Sequence, residues 1–299
     1  MRVFITGATG FIGAHLVPEL LQAGHHVIGL CRSEEGAKKL AQAGAEPFFG
    51  DVNDLSRLRA GALSADGVIH TAFNHDFARV RQHSEEDRAV IEALGEALTG
   101  SGKPLIVTSG TGLVERRLGE DCVIETDTHA GSAKTPRAAT EEAANAILAK
   151  NVHVIVMRLP QVHDTHHQGR IAHHIRLAKE KGYVAYIGDG QNRLPAVHVA
   201  DAVRLFRVAL EHGRPGGFYH AVAEEGVAMR EIAQVIGTGL RLPVESITAD
   251  AASSYFGVLA GLASLDLAAS GDLTRQELGW TPTGPSLLSD LRQMEWASH

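Results

Sequence analysis

Short apolar runs alternate along the chain with segments whose apolar residues recur at helical spacing. Residues 3–5 read as a strand. Phe11, Ile12, Leu16, Val17, Leu20 and Leu21 follow as one face of a helix that Gly24 closes. Pro18 lies inside that helix and is expected to kink it. The same alternation predicts strands at 27–30, 46–49, 67–70, 104–108 and 152–158. Helices at 35–42, 55–58, 84–99 and 136–150 fall between them, the last with Pro136 suited to its first turn. Repeated strand–helix units imply an α/β protein with a parallel, right-handed, doubly wound sheet. Beyond Pro160 the pattern loosens into a polar, histidine-rich loop over 163–174 that leads into a helix. Strands at 184–187 and 195–197 flank the turn Gly188-Asp189-Gly190, and helices are expected at 201–210, 229–236, 251–267 and 286–296.

Thr6-Gly7-Ala8-Thr9-Gly10-Phe11-Ile12-Gly13 lies between the first strand and the first helix. Each glycine has a physical task there. Gly7 permits the tight turn, Gly10 lets the backbone approach a pyrophosphate at the positive helix N-terminus, and Gly13 allows close helix–strand packing. A plain glycine turn is the alternative, but the strand–turn–helix context is that of a Rossmann dinucleotide site. Gly7, Thr9, Gly10, Phe11, Ile12 and Gly13 are therefore the first cofactor-binding candidates. A Rossmann domain over 1–160, a smaller, mainly substrate-binding part over 161–299, and a return of 188–212 to the first unit complete the expected organisation.

The loop resembles the TGxxGxxG signature of the extended short-chain dehydrogenase/reductases, and the resemblance covers nearly the whole chain. Gly50-Asp51-Val52 matches that family's acidic adenine-binding turn, which implicates Asp51 and Val52. His70-Thr71-Ala72-Phe73 matches the ribose-facing turn, with Thr71, Ala72 and Phe73 as contacts. Thr108 and Ser109 end the fifth strand, where the family's serine or threonine lies. The segment from Arg158 through Pro160 and Val162 to His163 is similar to the one that packs on nicotinamide. Val197-His198-Val199-Ala200-Asp201 is similar to a further family element, and the phrase from Val68 to Phe77 looks like an atypical subgroup. NAD enzymes usually carry an acid at the end of the second strand. Here Arg32 and Ser33 stand there, and a guanidinium with a hydroxyl suits the 2′-phosphate of NADP. Glu34 and Glu35 argue for NAD, unless they only serve the start of the next helix.

The resemblance fails at the catalytic dyad. The family's Tyr-x-x-x-Lys falls on Arg137 and Glu141, and none of Tyr183, Tyr186, Tyr219 and Tyr255 lies on this helix. Arg137 is a poor acid but can stabilise an oxyanion; alternatively it forms an i,i+4 surface pair with Glu141. Replacement groups are Ser109 and Thr111 as hydroxyl donors and His163 or His198 as proton donors, with His75 a further candidate. The run His163-Asp164-Thr165-His166-His167 has metal-like composition but no supporting motif, so no metal is expected.

Composition narrows the classes. A net charge of -7 argues against nucleic-acid or anionic-membrane binding. Two cysteines, Cys31 and Cys122, without a CxxC fit a reducing cytoplasm. No signal peptide or apolar span is expected. Three readings follow. The first is an NADP-dependent oxidoreductase on a small carbonyl or alcohol, the second a non-catalytic NADP sensor, and the third a sugar-nucleotide epimerase or dehydratase that has lost its main residues. The resemblance also implies a homodimer through the helices 84–99 and 136–150, with Leu94, Leu98, Ala143, Ala146 and Ile147 as its apolar face.

Overall fold

The computed structural model describes residues 1–74 and 76–296, with Phe77 and Val258 described by backbone alone; the candidate His75 lies outside the described residues. The first half runs β1 (Arg2–Thr6), α1 (Phe11–Gln22), β2 (His26–Cys31), α2 (Glu34–Gln42), β3 (Glu46–Phe49), α3 (Leu55–Leu63), β4 (Gly67–His70), α4 (Val80–Leu98), β5 (Pro104–Gly110), α5 (Ala139–Leu148) and β6 (His153–Leu159). The second half runs β7 (Gln161–His163), α6 (Ile171–Lys181), β8 (Val184–Ile187), β9 (Arg193–His198), α7 (Val199–His212), β10 (Phe218–His220), β11 (Glu224–Ala228), α8 (Met229–Leu240), β12 (Val244–Ile247), α9 (Ala252–Phe256), α10 (Ala260–Ala263), α11 (Asp272–Leu278) and α12 (Leu287–Gln293).

The central sheet has seven strands in the order β10-β6-β5-β4-β1-β2-β3, all parallel. Its middle strands are continuous apolar runs because helices cover both faces. Val3, Phe4, Ile5, Val68, Ile69, Leu105, Ile106 and Val107 are all buried. On one face Leu16, Val17 and Leu20 of α1 pack with Phe206, Ala209 and Leu210 of α7. On the other, Ile91, Leu94 and Leu98 of α4 pack with Ala143 and Ile147 of α5. The C-terminal part adds the three-stranded sheet β11-β9-β7 and the parallel pair β12-β8. Its own core joins Ile175, Ile232, Ile236, Leu287 and Leu291. Among the described residues no helix is long and apolar enough to cross a membrane.

Several expectations are corrected. The helix expected over 251–267 is two short helices separated by a 3₁₀ turn, since Gly257 takes φ +57° after Phe256. The three-residue β10 was not foreseen. Leu94, Leu98, Ala143 and Ile147 are buried within this chain, so of the anticipated dimer face only Ala146 is exposed.

Candidate active site

Gly7 turns the chain out of β1 at φ +74°, a conformation that costs an L-residue about 1–2 kcal/mol. A Cβ on Gly7 would lie 2.7 Å from the Ala72 nitrogen, and one on Gly13 would lie 2.1 Å from the Gly7 carbonyl oxygen. Neither position has room for a side chain. Gly10 differs: a Cβ there would meet only the Gly7 oxygen, at 3.3 Å. Gly10 and Thr9 are exposed, and Gly10 gives α1 no side-chain cap. The result is an open backbone strip over an uncapped helix N-terminus, which fits a dinucleotide pyrophosphate. Phe11 and Ile12 are half-buried beside it, and the His167 ring stacks on Phe11 at 4.7 Å.

The flanking turns carry the other residues expected to meet a dinucleotide. Arg32 is 78% exposed, with Asp51 Oδ2 at 3.9 Å from its Nη1. Ser33 caps α2 by accepting from the Gly36 N–H at 3.1 Å. Asp51 Oδ1 accepts from the Asn53 N–H at 2.9 Å, and half-buried Val52 rests on the core. After β4, Thr71 Oγ1 donates to the Thr6 carbonyl at 2.8 Å, tying this turn to the glycine loop, and Ala72 packs against Gly7. Pro160 is half-buried, whereas Val162 is buried, paired with Val197. Val162 is thus a core residue as well as a neighbour of the cofactor segment.

At the dyad positions the structure departs from both sequence readings. Arg137 makes no surface pair with Glu141. Its guanidinium lies 3.7 Å above the Phe73 ring, and Nη1 donates to Asp87 Oδ2 at 2.7 Å and to Thr140 Oγ1. Nη2 donates to the Thr108 carbonyl at 2.9 Å, and Thr140 Oγ1 donates to the same Asp87 oxygen at 2.5 Å. Burial alone would push the Asp87 carboxyl up, but Arg137 and His70 outweigh it and hold the group below the usual carboxylate range. His70 Nε2 lies 2.9 Å from Asp87 Oδ1 and its Nδ1 2.6 Å from Thr6 Oγ1, so one buried network runs from the glycine loop to Arg137.

Glu141 is fully buried and accepts from Arg158 Nε at 2.9 Å and Nη2 at 2.7 Å. Ser109 Oγ donates to the same carboxylate at 2.6 Å. Ser109 is therefore spoken for by a structural pair, a correction to its assignment as a substrate donor. Arg158 also donates through Nη1 to the carbonyls of Glu125 (3.2 Å) and Asp127 (3.0 Å) and to His220 Nε2 (3.2 Å). Thr111, just past β5, is buried and keeps its hydroxyl outside this pair.

His163 is corrected as well. It is wholly buried, with Nδ1 2.7 Å from Asp290 Oδ2, and burial lowers its pKa despite that carboxylate. His198 Nδ1 accepts from the Ala200 N–H at 3.2 Å and so caps α7, while its ring meets His163 edge-on at 5.8 Å. His163 joins β7 to Asp290 of α12, and His198 Nε2 lies 3.8 Å from the same carboxylate oxygen. Asp164 Oδ1 accepts from the N–H groups of His166 (2.6 Å) and His167 (2.5 Å), which gives that histidine-rich run a structural task in its loop. The residues the sequence reading missed are Asp87, Thr140 and Asp290. Asp87 left a signal: with His83 and Ser84 it sits on the buried stripe of α4 that continues through Val90, Ile91 and Leu94.

Fold and loop together define a Rossmann protein of the short-chain dehydrogenase/reductase class. Residues 3–221 match the NAD dependent epimerase/dehydratase family, and the chain belongs to that family. It is 44% identical to an uncharacterized protein of Schizosaccharomyces pombe over 97% of this chain and 98% of that one. It is 26% identical to the decarboxylating sterol-4-alpha-carboxylate 3-dehydrogenase of Dictyostelium discoideum, over 77% of this chain and 74% of that one. Among solved structures, the dTDP-glucose 4,6-dehydratase DesIV of Streptomyces venezuelae shares the fold at a TM-score of 0.76 and 20% identity, covering 98% and 96% of the two chains.

Proposed function

We propose that the chain is an NADP-dependent oxidoreductase acting on a small carbonyl or alcohol, with Arg137 and Thr111 in place of the tyrosine–lysine dyad. The observation that carries this reading is the glycine cradle, closed at Gly7 and Gly13 and open at Gly10. Bound nicotinamide supplies or accepts the hydride. The chain's own task is then to stabilise negative charge on the substrate oxygen. Arg137 has five N–H donors, of which three are held by Asp87, Thr140 and the Thr108 carbonyl. The remaining donors, fixed in direction by that frame, are suited to an oxyanion. Thr111 is the hydroxyl that remains for donation to substrate once Ser109 is bound to Glu141. Preference for NADP is supported by Arg32, whose guanidinium is exposed and only loosely held by Asp51.

The test is oxidation of NADPH and NADH with a panel of aldehydes and ketones, together with calorimetry of both cofactors. Turnover that falls about tenfold or more in Arg137→Ala and Thr111→Val supports the assignment. Arg32→Ala should cost NADPH about tenfold in affinity and leave NADH nearly unchanged. Equal affinities for the two cofactors in the unmodified protein would sink the NADP preference. The buried Glu141–Arg158 pair at the dyad favours a second reading, a non-catalytic cofactor sensor; tight NADPH binding without turnover across the panel would select it.

A further inference from the structure

Every other arginine among the described residues that is not exposed holds a carboxylate, as Arg137 holds Asp87, Arg158 holds Glu141 and Arg193 holds Asp266. Arg170 is the exception. It is half-buried at the start of α6, and its guanidinium has no hydrogen bond or ion pair with any described residue. The backbone around it is fixed: the Arg170 N–H donates to Gln161 Oε1 at 3.0 Å, and the Ile171 N–H to the Gln168 carbonyl at 2.8 Å. One helical turn on, His174 shares its face of α6. That ring is also half-buried and without a hydrogen-bond partner, and it lies 5.3 Å from the ring of buried Phe256.

Burial pushes the Arg170 guanidinium down to about 10, still charged at neutral pH. Burial, and then the Arg170 charge, push His174 down to about 3, so its ring is neutral and has an N–H to donate. A desolvated cation without a counter-ion is expensive to keep in a fold. The loop that delivers it also carries His167, which is stacked on Phe11 of the glycine loop. That loop thus links Arg170 along the chain to a residue packed on the glycine loop.

We propose that Arg170 and His174 bind the carboxylate of a small organic acid, with Phe256 as the apolar wall. Calling that acid the substrate rests on the oxidoreductase reading; the binding site does not. The planar fork of a guanidinium matches a carboxylate with two parallel hydrogen bonds. One cation beside a neutral donor balances one negative charge, whereas a phosphate dianion would leave a desolvated charge uncompensated.

Calorimetry of the NADP-saturated protein with acetate, benzoate, benzamide and phenyl phosphate tests the site. Benzoate should bind about tenfold or more tightly than benzamide. Arg170→Gln should abolish that preference and Arg170→Lys keep part of it, with NADP affinity unchanged in both as the check on folding. Equal binding of benzoate and benzamide, an unaltered preference in Arg170→Gln, or no binding of either carboxylate would overturn the proposal. Tighter binding of phenyl phosphate than of benzoate would overturn the carboxylate class. Absence of turnover by the unmodified protein across the carbonyl panel, with acids still bound, would refute the oxidoreductase reading and leave this site standing.

Discussion

A guanidinium stays charged in any environment a protein offers, so an arginine buried as deeply as Arg158 binds its carboxylate partner into the fold. Removing one member of such a pair strands the other without compensation and costs roughly 3–5 kcal/mol. Glu141→Gln should therefore destabilise the protein by about that much in chemical denaturation, without touching the glycine loop. The double variant Glu141→Leu/Arg158→Met should recover most of the loss, because it removes both charges. His220 gives a pH signature in the same network. Its Nδ1 donates to the Ser270 carbonyl at 2.8 Å and its Nε2 accepts from Arg158, so the folded ring is neutral. Burial first, then Arg158, lower its pKa to about 3 from the ordinary 6.5 of a histidine. The unfolded chain thus takes up a proton below 6.5 that the folded one refuses. This contribution to stability is complete above pH 6.5 and is lost as the pH falls from there towards 3. His174 acts with the same sign. Unfolding free energy measured from pH 7 to 4 should fall, and the slope should be shallower in His220→Gln; an unchanged slope would remove His220 from the account.

Among the elements, the β1–α1 turn separates folding from binding. Gly13→Ala should lower stability sharply, since its Cβ would collide with the Gly7 carbonyl oxygen. Gly10→Ala meets little within the chain, so it should melt near the wild-type temperature and yet lose cofactor affinity by about tenfold or more. A Gly10→Ala protein with full cofactor affinity would refute the placement of the pyrophosphate. This turn and β1 to β6 were legible in the sequence because buried parallel strands are unbroken apolar runs and the glycine spacing is local. β10 was not: Phe218-Tyr219-His220 is too short to show a period. Roles in the site were legible only as far as local spacing reached. Arg137 could be read as pairing with Glu141 four residues on, but its partner Asp87 is 50 residues away, and Asp290 lies 127 residues from His163. Which carboxylate a buried cation meets is decided by tertiary packing, and it turned two proposed catalytic groups, Ser109 and His163, into structural ones.

At the scale of the molecule, assembly through α4 and α5 would use their outer polar surface. Leu94, Leu98, Ala143 and Ile147 belong to the chain's own core, while Glu85, Glu96, Asn145 and Ala146 are exposed. A homodimer formed there should weaken with salt, and light scattering at micromolar concentration in low and high salt checks this. A monomer in both conditions would dismiss it.

The central sheet draws on both halves of the chain. α7 covers Leu16, Val17 and Leu20, and β10 pairs with the outer edge of β6. During synthesis at ~5–20 residues per second, a nascent chain that has just exposed β6 must wait several seconds for these pieces to leave the ribosome. Through that interval it carries a bare apolar face on α1 and an unpaired strand edge on β6, two surfaces that invite aggregation. A fragment ending at residue 160 should therefore be insoluble or captured by chaperones, whereas one extended to residue 221 regains both covers and should sediment as soluble protein.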